Sequence, residues 1–196
     1  MKRICVFCGS SPGSRPEYAE AARHLGVTLA ENDIGLVYGG ADVGMMGAIA
    51  SSVIATGGSV TGIIPRQLAD QKVAFTGLAD LRIVDSMHQR KALMEALSDG
   101  FIALPGGLGT IEEFFEIWTW AQLNMHRKPC GLLNVCHYFD RLLAFLDHTV
   151  EEQFVEIDHR RMIIVEKDPL TLIERFRTYQ PPVTDKAKWA LKMNNS

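Results

Sequence analysis

Two adjacent glutamates, Glu112 and Glu113, follow a glycine-rich segment at 105–110 that reads PGGLGT. Glycines let backbone amides approach an anion closely, and a helix that follows them presents further amides at its N-terminus. A carboxylate beside a bound phosphate raises the free energy of the complex unless it takes part in the reaction. It could do so by stabilising positive charge that develops on a ribose ring. The segment is therefore suited to binding a phosphorylated ligand and to chemistry on its sugar.

A structural role for Glu113 is equally consistent with the sequence. Thr110 and Glu113 have the spacing of a capping box, in which the glutamate accepts a hydrogen bond from the first amide of the helix. Such a cap contributes about 1 kcal/mol. Glu112 points elsewhere, and its structural role is that of a solvated surface carboxylate. Residue chemistry alone leaves capping and catalysis open for Glu113, and it favours capping.

Three further segments carry candidate ligand-binding residues. CGSSPGS contains Ser10 and Ser11, YGGADVGMMG contains Gly39 and Gly40, and SMHQRK contains Arg90. Taken alone, each glycine loop is as consistent with a tight turn as with a binding site. Neither the P-loop pattern nor the dinucleotide-binding glycine pattern is present, so the sequence indicates no dinucleotide cofactor. It favours a smaller ligand, such as a mononucleotide.

The elements that position these segments alternate along the chain. Short apolar runs predict strands near 3–9, 35–40, 59–65, 81–85, 101–105, 130–135 and 161–166, and longer periodic segments predict helices near 16–31, 44–56, 87–98, 110–124, 138–152 and 169–178. This alternation indicates an α/β fold with right-handed crossovers and a parallel sheet covered on both faces. Ligands bind such sheets beyond the carboxyl ends of the strands, where the glycine loops and Arg90 are expected.

Length and composition limit the possible functions. The chain of 196 residues predicts one domain, at 1–180, followed by a C-terminal arm at 181–196 that contains Trp189. A net charge of -3 gives no general attraction to nucleic acid or to an anionic membrane. No apolar run is long enough to span a bilayer, and the N-terminus suits a core strand, so we expect a cytoplasmic protein.

Cysteine and histidine residues show no metal-binding pattern. Cys5 and Cys8 form a C-x-x-C motif, but residues three apart in a strand face opposite sides of the sheet. We therefore expect buried free thiols there and no metal site. His88 lies beside the SMHQRK arginine, and the sequence leaves open whether it acts in chemistry or only occupies the helix start. The aromatic residues Phe114, Phe115, Trp118 and Trp120 predict core or a subunit interface.

The motifs together resemble one known family. Pro105, Gly106, Gly107, Gly109, Thr110 and Glu113 match P-G-G-x-G-T-x-x-E, the signature of the "lonely guy" family of cytokinin riboside 5′-monophosphate phosphoribohydrolases. CVFCGSS, YGGADVGMMG, SMHQRK and GFIALPGGLGTIEEFFEIWTWAQL are also similar to family segments and occur in the same order. The resemblance extends from the start of the chain to about residue 165.

The resemblance implies a fold, a reaction and a set of site residues. The fold is a Rossmann-like three-layer sandwich with a central parallel sheet of about seven strands, and the protein is a homodimer. The reaction hydrolyses the N-glycosidic bond of AMP-like or N6-substituted nucleoside 5′-monophosphates to free base and ribose 5-phosphate. By motif position, Arg90 and Glu113 are catalytic. The substrate-binding residues by the same criterion are Ser10, Gly39, Gly40, Met87, Lys91, Gly106, Gly107, Leu108, Gly109, Thr110 and Thr119.

Two departures and two alternatives accompany this interpretation. Ala41 and Met45 stand where the second loop of the family often has a glycine and a leucine. Many family members carry a glutamate where this chain has Lys72, a position linked to substrate binding. A non-catalytic carrier of a nucleotide or cofactor could use the same fold, because fold does not determine function. Some relatives have been labelled lysine decarboxylases, but decarboxylation needs an electron-sink cofactor bound through a lysine, and no motif here supports that.

Overall fold

The computed structural model describes residues 1–183 together with Trp189 and Leu191. Its strands are β1 (Arg3–Phe7), β2 (Gly35–Tyr38), β3 (Val60–Pro65), β4 (Asp80–Val84), β5 (Gly100–Ala103), β6 (Cys130–Leu133) and β7 (Ile163–Glu166). Its helices are α1 (Pro16–Glu31), α2 (Gly44–Ala55), α3 (Arg66–Ala69), α4 (Met87–Leu97), α5 (Leu108–Gln122), α6 (Asp140–Glu151), α7 (Ile157–Arg160) and α8 (Pro169–Arg177), with a 3₁₀ turn at Val135–His137.

All seven strands form one parallel sheet in the order β4-β3-β2-β1-β5-β6-β7. The chain leaves β1 toward one edge and returns beside it with β5, so the order reverses between these two strands. That reversal is where open α/β sheets bind ligands. The sequence prediction of a Rossmann-like parallel sheet with about seven strands is confirmed.

A separate apolar core covers each face of the sheet. One contains residues of α1, α2 and α8, including Leu25, Ile49 and Ile173. The other contains residues of α4, α5 and α6, including Met94 and Trp118. The molecule therefore has three layers, because strands buried on both faces need helices on both sides.

The prediction that Cys5 and Cys8 are buried free thiols is also confirmed. Cys5 belongs to one core and Cys8 to the other, and both are buried free thiols. Burial raises the pKa of each thiol. Their side chains lie on opposite faces of the sheet, as strand geometry requires.

The predicted elements differ from the observed ones mainly at their ends. Five strands end one or two residues earlier than predicted, for example at Phe7 and Tyr38, whereas β3 and β7 end at the predicted residue. The short helices α3 and α7 were not predicted, since four residues are too few to show helical periodicity. The division into a domain at 1–180 and an arm at 181–196 stays a prediction, and residues 184–188, 190 and 192–196 lie outside the described part of the chain.

Candidate active site

Helix α5 begins without a side-chain cap at the carboxyl edge of the sheet. Its N-cap residue is Gly107, and Leu108 is its first helical residue, so Thr110 lies inside the first turn. The first helical hydrogen bond runs from the Ile111 amide to the Gly107 carbonyl at 3.1 Å. The amides of the first turn have no earlier carbonyl within the helix to bind. They and the helix dipole form a site that favours an anion.

The predicted capping box is therefore wrong. It placed the helix start at Thr110, but the glycines allow the helix to begin two residues earlier. Thr110 instead packs its hydroxyl against Gly106, where a methyl group would overlap it. Gly106 in turn lies beside Gly9, whose amide donates to the Pro105 carbonyl at 3.1 Å. These close contacts join the loop after β5 to the loop after β1.

Glu113 forms a buried ion pair with Arg90 of α4. Nη1 of Arg90 donates to Oε1 of Glu113 at 2.7 Å, and the two side chains are only 10% and 11% exposed. Nε of Arg90 donates to the Ile63 carbonyl at 3.1 Å. The guanidinium also lies against Gly39, where a side chain would overlap Nη2. Helices α4 and α5, strand β3 and the residue that follows β2 thus fix the orientation of this pair.

Burial raises the pKa of Glu113 above its ordinary value. The charge of Arg90 opposes this rise, and the charge of Glu112 adds to it. A carboxyl group whose pKa is perturbed by desolvation and by a specific partner in a cavity is typical of a reactive site. A cap or surface glutamate would instead have an ordinary or lowered pKa.

Lys91 and Glu112 belong to a second ionic cluster. Nζ of Lys91 lies 2.8 Å from Oε1 of Glu112 and 2.9 Å from Oε2 of Glu116. Burial opposes the charge on Lys91, but its two carboxylate partners outweigh burial and raise the pKa of the lysine. Glu112, which is half-exposed, is therefore an ion-pair partner and not simply a solvated carboxylate.

A cavity of about 460 Å³ lies above the carboxyl ends of β1, β2 and β3 and extends to the start of α5. We call it the catalytic cavity. The predicted site residues that line it are Ser10, Gly39, Arg90, Gly107, Leu108, Gly109, Thr110 and Glu113. The structure thus places both predicted catalytic residues and most of the predicted phosphate-binding loop around one space.

Five predicted substrate-binding residues do not line the catalytic cavity. They are Gly40, Met87, Lys91, Gly106 and Thr119. Gly40 has a left-handed backbone and packs against β3, and Gly106 supports Thr110. Sδ of Met87 lies 3.9 Å from Nη1 of Arg90, so it contacts the ion pair. The exposed His88 does not line the cavity either.

Sequence reasoning missed the opposite wall of the catalytic cavity. Leu68, Gln71 and Val73 line it, together with Met46 of α2 and the buried Cys8. The segment is held in place because the Asp42 amide donates to the Val73 carbonyl at 2.8 Å. Lys72 is exposed, has a left-handed backbone and is absent from the lining. The sequence signal for this wall was the position of Lys72, which is linked to substrate binding in the family and is adjacent to Gln71 and Val73.

No group of three potential metal-binding side chains occurs among residues 1–183, 189 and 191. Over the same residues, no helix has both the length and the apolar composition needed to cross a bilayer.

The fold and the site define a class of protein. A doubly wound parallel sheet carries an uncapped helix start beside a buried arginine–glutamate pair, and this combination is typical of a Rossmann-like protein that binds a small anionic ligand. Comparison with known proteins is more specific. A family model described as "possible lysine decarboxylase" matches residues 46–176.

The chain is also similar to curated plant proteins over most of its length. It is 49% identical over 185 residues to the probable cytokinin riboside 5′-monophosphate phosphoribohydrolase LOGL5 of Oryza sativa subsp. japonica, covering 94% of this chain and 75% of the relative. It is 47% identical over 192 residues to the cytokinin riboside 5′-monophosphate phosphoribohydrolase LOG7 of Arabidopsis thaliana, covering 96% and 88%. The chain therefore belongs to the "lonely guy" family.

Solved structures share the fold at lower identity. A molybdenum cofactor binding protein from Rippkaea orientalis aligns with a TM-score of 0.65 at 22% identity, covering 91% of this chain and 97% of that one. The Moco carrier protein from Chlamydomonas reinhardtii aligns with a TM-score of 0.66 at 18% identity, covering 90% and 95%. These likenesses concern the fold alone.

Proposed function

We propose that this protein hydrolyses the N-glycosidic bond of AMP-like or N6-substituted nucleoside 5′-monophosphates, releasing free base and ribose 5-phosphate. The observation that carries the proposal is the buried pair of Arg90 and Glu113 beside the uncapped start of α5, within one cavity. The names of the curated relatives support the same reaction. The cavity volume of about 460 Å³ lies within the usual range for small-molecule sites.

The 5′-phosphate binds at the first turn of α5 in this proposal. Gly107, Leu108, Gly109 and Thr110 all line the catalytic cavity, and amides at a helix start favour an anion. Gly107 and Gly109 have no neighbouring atom within 4 Å of the position that a Cβ would occupy. A phosphate can therefore approach the backbone directly at these two residues.

Glu113 acts on the sugar. It is the sixth residue of α5, so it lies about one turn beyond the amides that hold the phosphate. As the bond from C1′ to the base breaks, its electron pair leaves with the base and positive charge develops on the ribose. The ionised carboxylate stabilises that charge. A water oxygen then bonds to C1′, and its proton balances the departing base.

Arg90 is the residue that keeps Glu113 ionised and oriented. Its charge opposes the rise in the Glu113 pKa that burial causes. The bond to the Ile63 carbonyl and the contact with Gly39 hold the guanidinium in one position. Held in this way, Arg90 can also contact the anionic substrate.

The wall opposite α5 is suited to the base. Leu68, Val73 and Met46 are apolar, and Gln71 offers a polar amide at the same wall. A purine with or without an apolar N6 substituent matches this composition, since ligand pockets combine apolar walls with few polar groups.

Lysine decarboxylation is disfavoured by the environment of Lys91. A lysine that forms a Schiff base needs a depressed pKa. The pKa of Lys91 is raised, because Glu112 and Glu116 both bind its ammonium group.

The test is direct measurement of free base and ribose 5-phosphate released from AMP and from isopentenyl-AMP. We expect equal molar amounts of both products from at least one of these nucleotides. Tight nucleotide binding with no release from any nucleoside monophosphate would contradict the proposal and support a non-catalytic carrier. Incubation with lysine and pyridoxal phosphate serves as the decarboxylase control, and we expect no amine product.

A cytoplasmic homodimer completes the proposal. The family resemblance supports the dimer. Phe115 and Trp120 of α5 are only half-buried, which is consistent with an interface on this side. Light scattering after size-exclusion chromatography measures the mass, and a stable monomer would contradict the dimer.

A further inference from the structure

A second cavity adjoins the catalytic cavity. It has a volume of about 280 Å³ and is separated from the catalytic cavity by a ridge at Ser10 and Gly107, which line both spaces. We call it the tyrosine cavity, because its outer walls are the rings of Tyr18 and Tyr138. Its described lining contains no charged side chain. Because the ridge lines both spaces, a ligand anchored there can extend into both cavities.

The aromatic wall of the tyrosine cavity is held rigidly. The Tyr138 hydroxyl donates to the Gly106 carbonyl at 2.6 Å, which ties the ring to the phosphate-binding loop. Tyr138 also meets Tyr18 edge to face, with ring centroids 5.7 Å apart and planes at 79°. Phe139 packs against Tyr138 at 5.0 Å. A fixed aromatic wall binds a planar ring at low entropic cost.

The backbone that presents Tyr138 is strained. Cys136 and His137 have φ angles of 49° and 61°, although neither is glycine. Each such residue costs of the order of 1–3 kcal/mol and persists only where its surroundings determine it. Asp140 provides such support, because it binds both Nδ1 of His137 at 2.9 Å and Nδ2 of Asn134 at 2.7 Å.

The outer end of the tyrosine cavity carries charged groups of both signs, because Glu17 lies in the first turn of α1 beside Arg15. Tyr18 lies in the first turn of α1, a helix of 16 residues whose N-cap residue, Arg15, makes no side-chain cap. The Arg15 side chain lies next to Cys136, two residues before Tyr138.

We propose that the tyrosine cavity binds a second aromatic group attached to the phosphate of the nucleotide. The ligand class is a nucleoside 5′-phosphate esterified on its phosphate, as in an aryl phosphodiester or a dinucleotide. This inference rests on the proposed function in one respect, namely that the phosphate binds at residues 107–110. The nucleoside then occupies the catalytic cavity beside Glu113, and the second group crosses the ridge to Tyr18 and Tyr138.

The experiment compares two charge-matched esters of AMP, adenosine 5′-phenylphosphate and adenosine 5′-methylphosphate. Calorimetry on the full chain gives the dissociation constant of each. We expect the phenyl ester to bind about tenfold more tightly, because stacking on an aromatic side chain contributes that much or more. Equal binding of the two esters, or binding of neither, would overturn the inference.

Variants of Tyr18 test whether the tyrosine cavity causes the tighter binding of the phenyl ester. Tyr18→Leu should bring the ratio of the two dissociation constants close to one, whereas Tyr18→Phe should retain it. Phe154→Leu, which changes an exposed aromatic outside both cavities, is the matched control and should retain the ratio. A ratio that survives in Tyr18→Leu would place the phenyl group elsewhere and overturn the inference.

Release of base from AMP in the same samples tests the proposed function separately. Hydrolysis of AMP without a preference for the phenyl ester would overturn only the inference that the tyrosine cavity binds an aromatic group. Phenyl preference without hydrolysis would support the cavity and contradict the hydrolase assignment.

Discussion

Helices α5 and α8 both begin at the carboxyl edge of the same parallel sheet, but their N-termini are built differently. At α8, Asp168 accepts hydrogen bonds from the Thr171 amide at 2.8 Å and from the Thr171 hydroxyl at 2.9 Å. At α5, Gly107 provides no side-chain cap. The start of α8 is therefore closed by the Asp168 side chain, whereas the start of α5 is open toward the catalytic cavity.

The carboxylates of the two helices differ in the direction of their pKa shifts. The backbone hydrogen bond from Thr171 is the largest effect that lowers the pKa of Asp168. Burial raises the pKa of Glu113, although Arg90 lies beside it. A lowered pKa shows that a carboxylate stabilises the native fold, whereas a raised pKa shows that the fold maintains the group at a cost. The direction of the shift thus separates a structural acid from a candidate catalytic one.

Among the substitutions that test this contrast at residues other than Glu113, Arg90→Gln should give the largest effect. We expect kcat/KM to fall at least about 100-fold, as when one charge-stabilising donor is removed from an active site. The acid limb of the pH profile should also move to higher pH, because Arg90 lowers the pKa of Glu113. Steady-state kinetics across pH, on samples shown to be folded by circular dichroism, measures both effects.

The control for that variant is Arg82→Gln, which breaks the partly exposed pair with Asp80 at 2.9 Å. It should leave the acid limb unchanged. An acid limb at the same pH in Arg90→Gln and in the wild type would show that the buried pair does not set the ionisation of Glu113.

Gly109→Ala should separate stability from binding at the open helix start. A methyl group at this position meets no atom within 4 Å and suits a helix, so we expect a gain of about 0.4–1 kcal/mol in the free energy of unfolding. It also intrudes on the amides that face the catalytic cavity. KM should therefore rise about tenfold, which corresponds to ~1.4 kcal/mol of binding free energy. Thermal unfolding and steady-state kinetics measure the two effects.

Gly57→Ala is the matched glycine control. This position is also unobstructed, but its φ of +83° strains any residue with a side chain. The variant should lose stability and keep its KM. If Gly109→Ala left KM unchanged as well, the start of α5 would not be the phosphate site.

Asp168→Ala should have the smallest effect. Loss of a side-chain cap costs about 1 kcal/mol at neutral pH, and kcat should be unchanged. The folded-state pKa is lowered, so the contribution of Asp168 is present above its unfolded pKa and is lost as pH falls through the lower folded value. Melting temperatures of both proteins at neutral pH and below about pH 4 should therefore converge in acid. A constant difference would contradict the assigned cap.

Much of the fold could be predicted from the sequence, because its signals are local and repeated. The continuous apolar runs predicted all seven strands, and Pro16 and Pro169 marked the starts of α1 and α8. Asp168 before Pro169 gave the same start signal, which the observed cap explains. The short helices α3 and α7 have no comparable local signal.

The candidate site was harder to predict, because its contacts join residues distant in sequence. Arg90 and Glu113 were named as a catalytic pair from the family resemblance, since residue chemistry alone favoured capping for Glu113, and the structure brings the two side chains together. Lys91 was expected at the substrate, and the structure shows that Glu112 and Glu116 of α5 bind its ammonium group, which no local sequence pattern indicated. The placement of Gln71 depends on the path of the loop between β3 and β4, which no local pattern determines. The roles of these residues in catalysis stay predictions.

The central claim is that Glu113 serves chemistry and not helix capping, and Glu113→Gln tests it most directly. Glutamine keeps the size of the side chain and an oxygen that can accept from Arg90, but it removes the charge. Glu112→Gln is the control, because it changes the adjacent carboxylate outside the catalytic cavity. Base release per folded molecule and the dissociation constant for AMP are measured for both variants.

We predict that Glu113→Gln releases base at least about 100-fold more slowly than the wild type while still binding AMP, and that Glu112→Gln stays close to the wild type. Base release by Glu113→Gln at the wild-type rate per folded molecule would contradict the account.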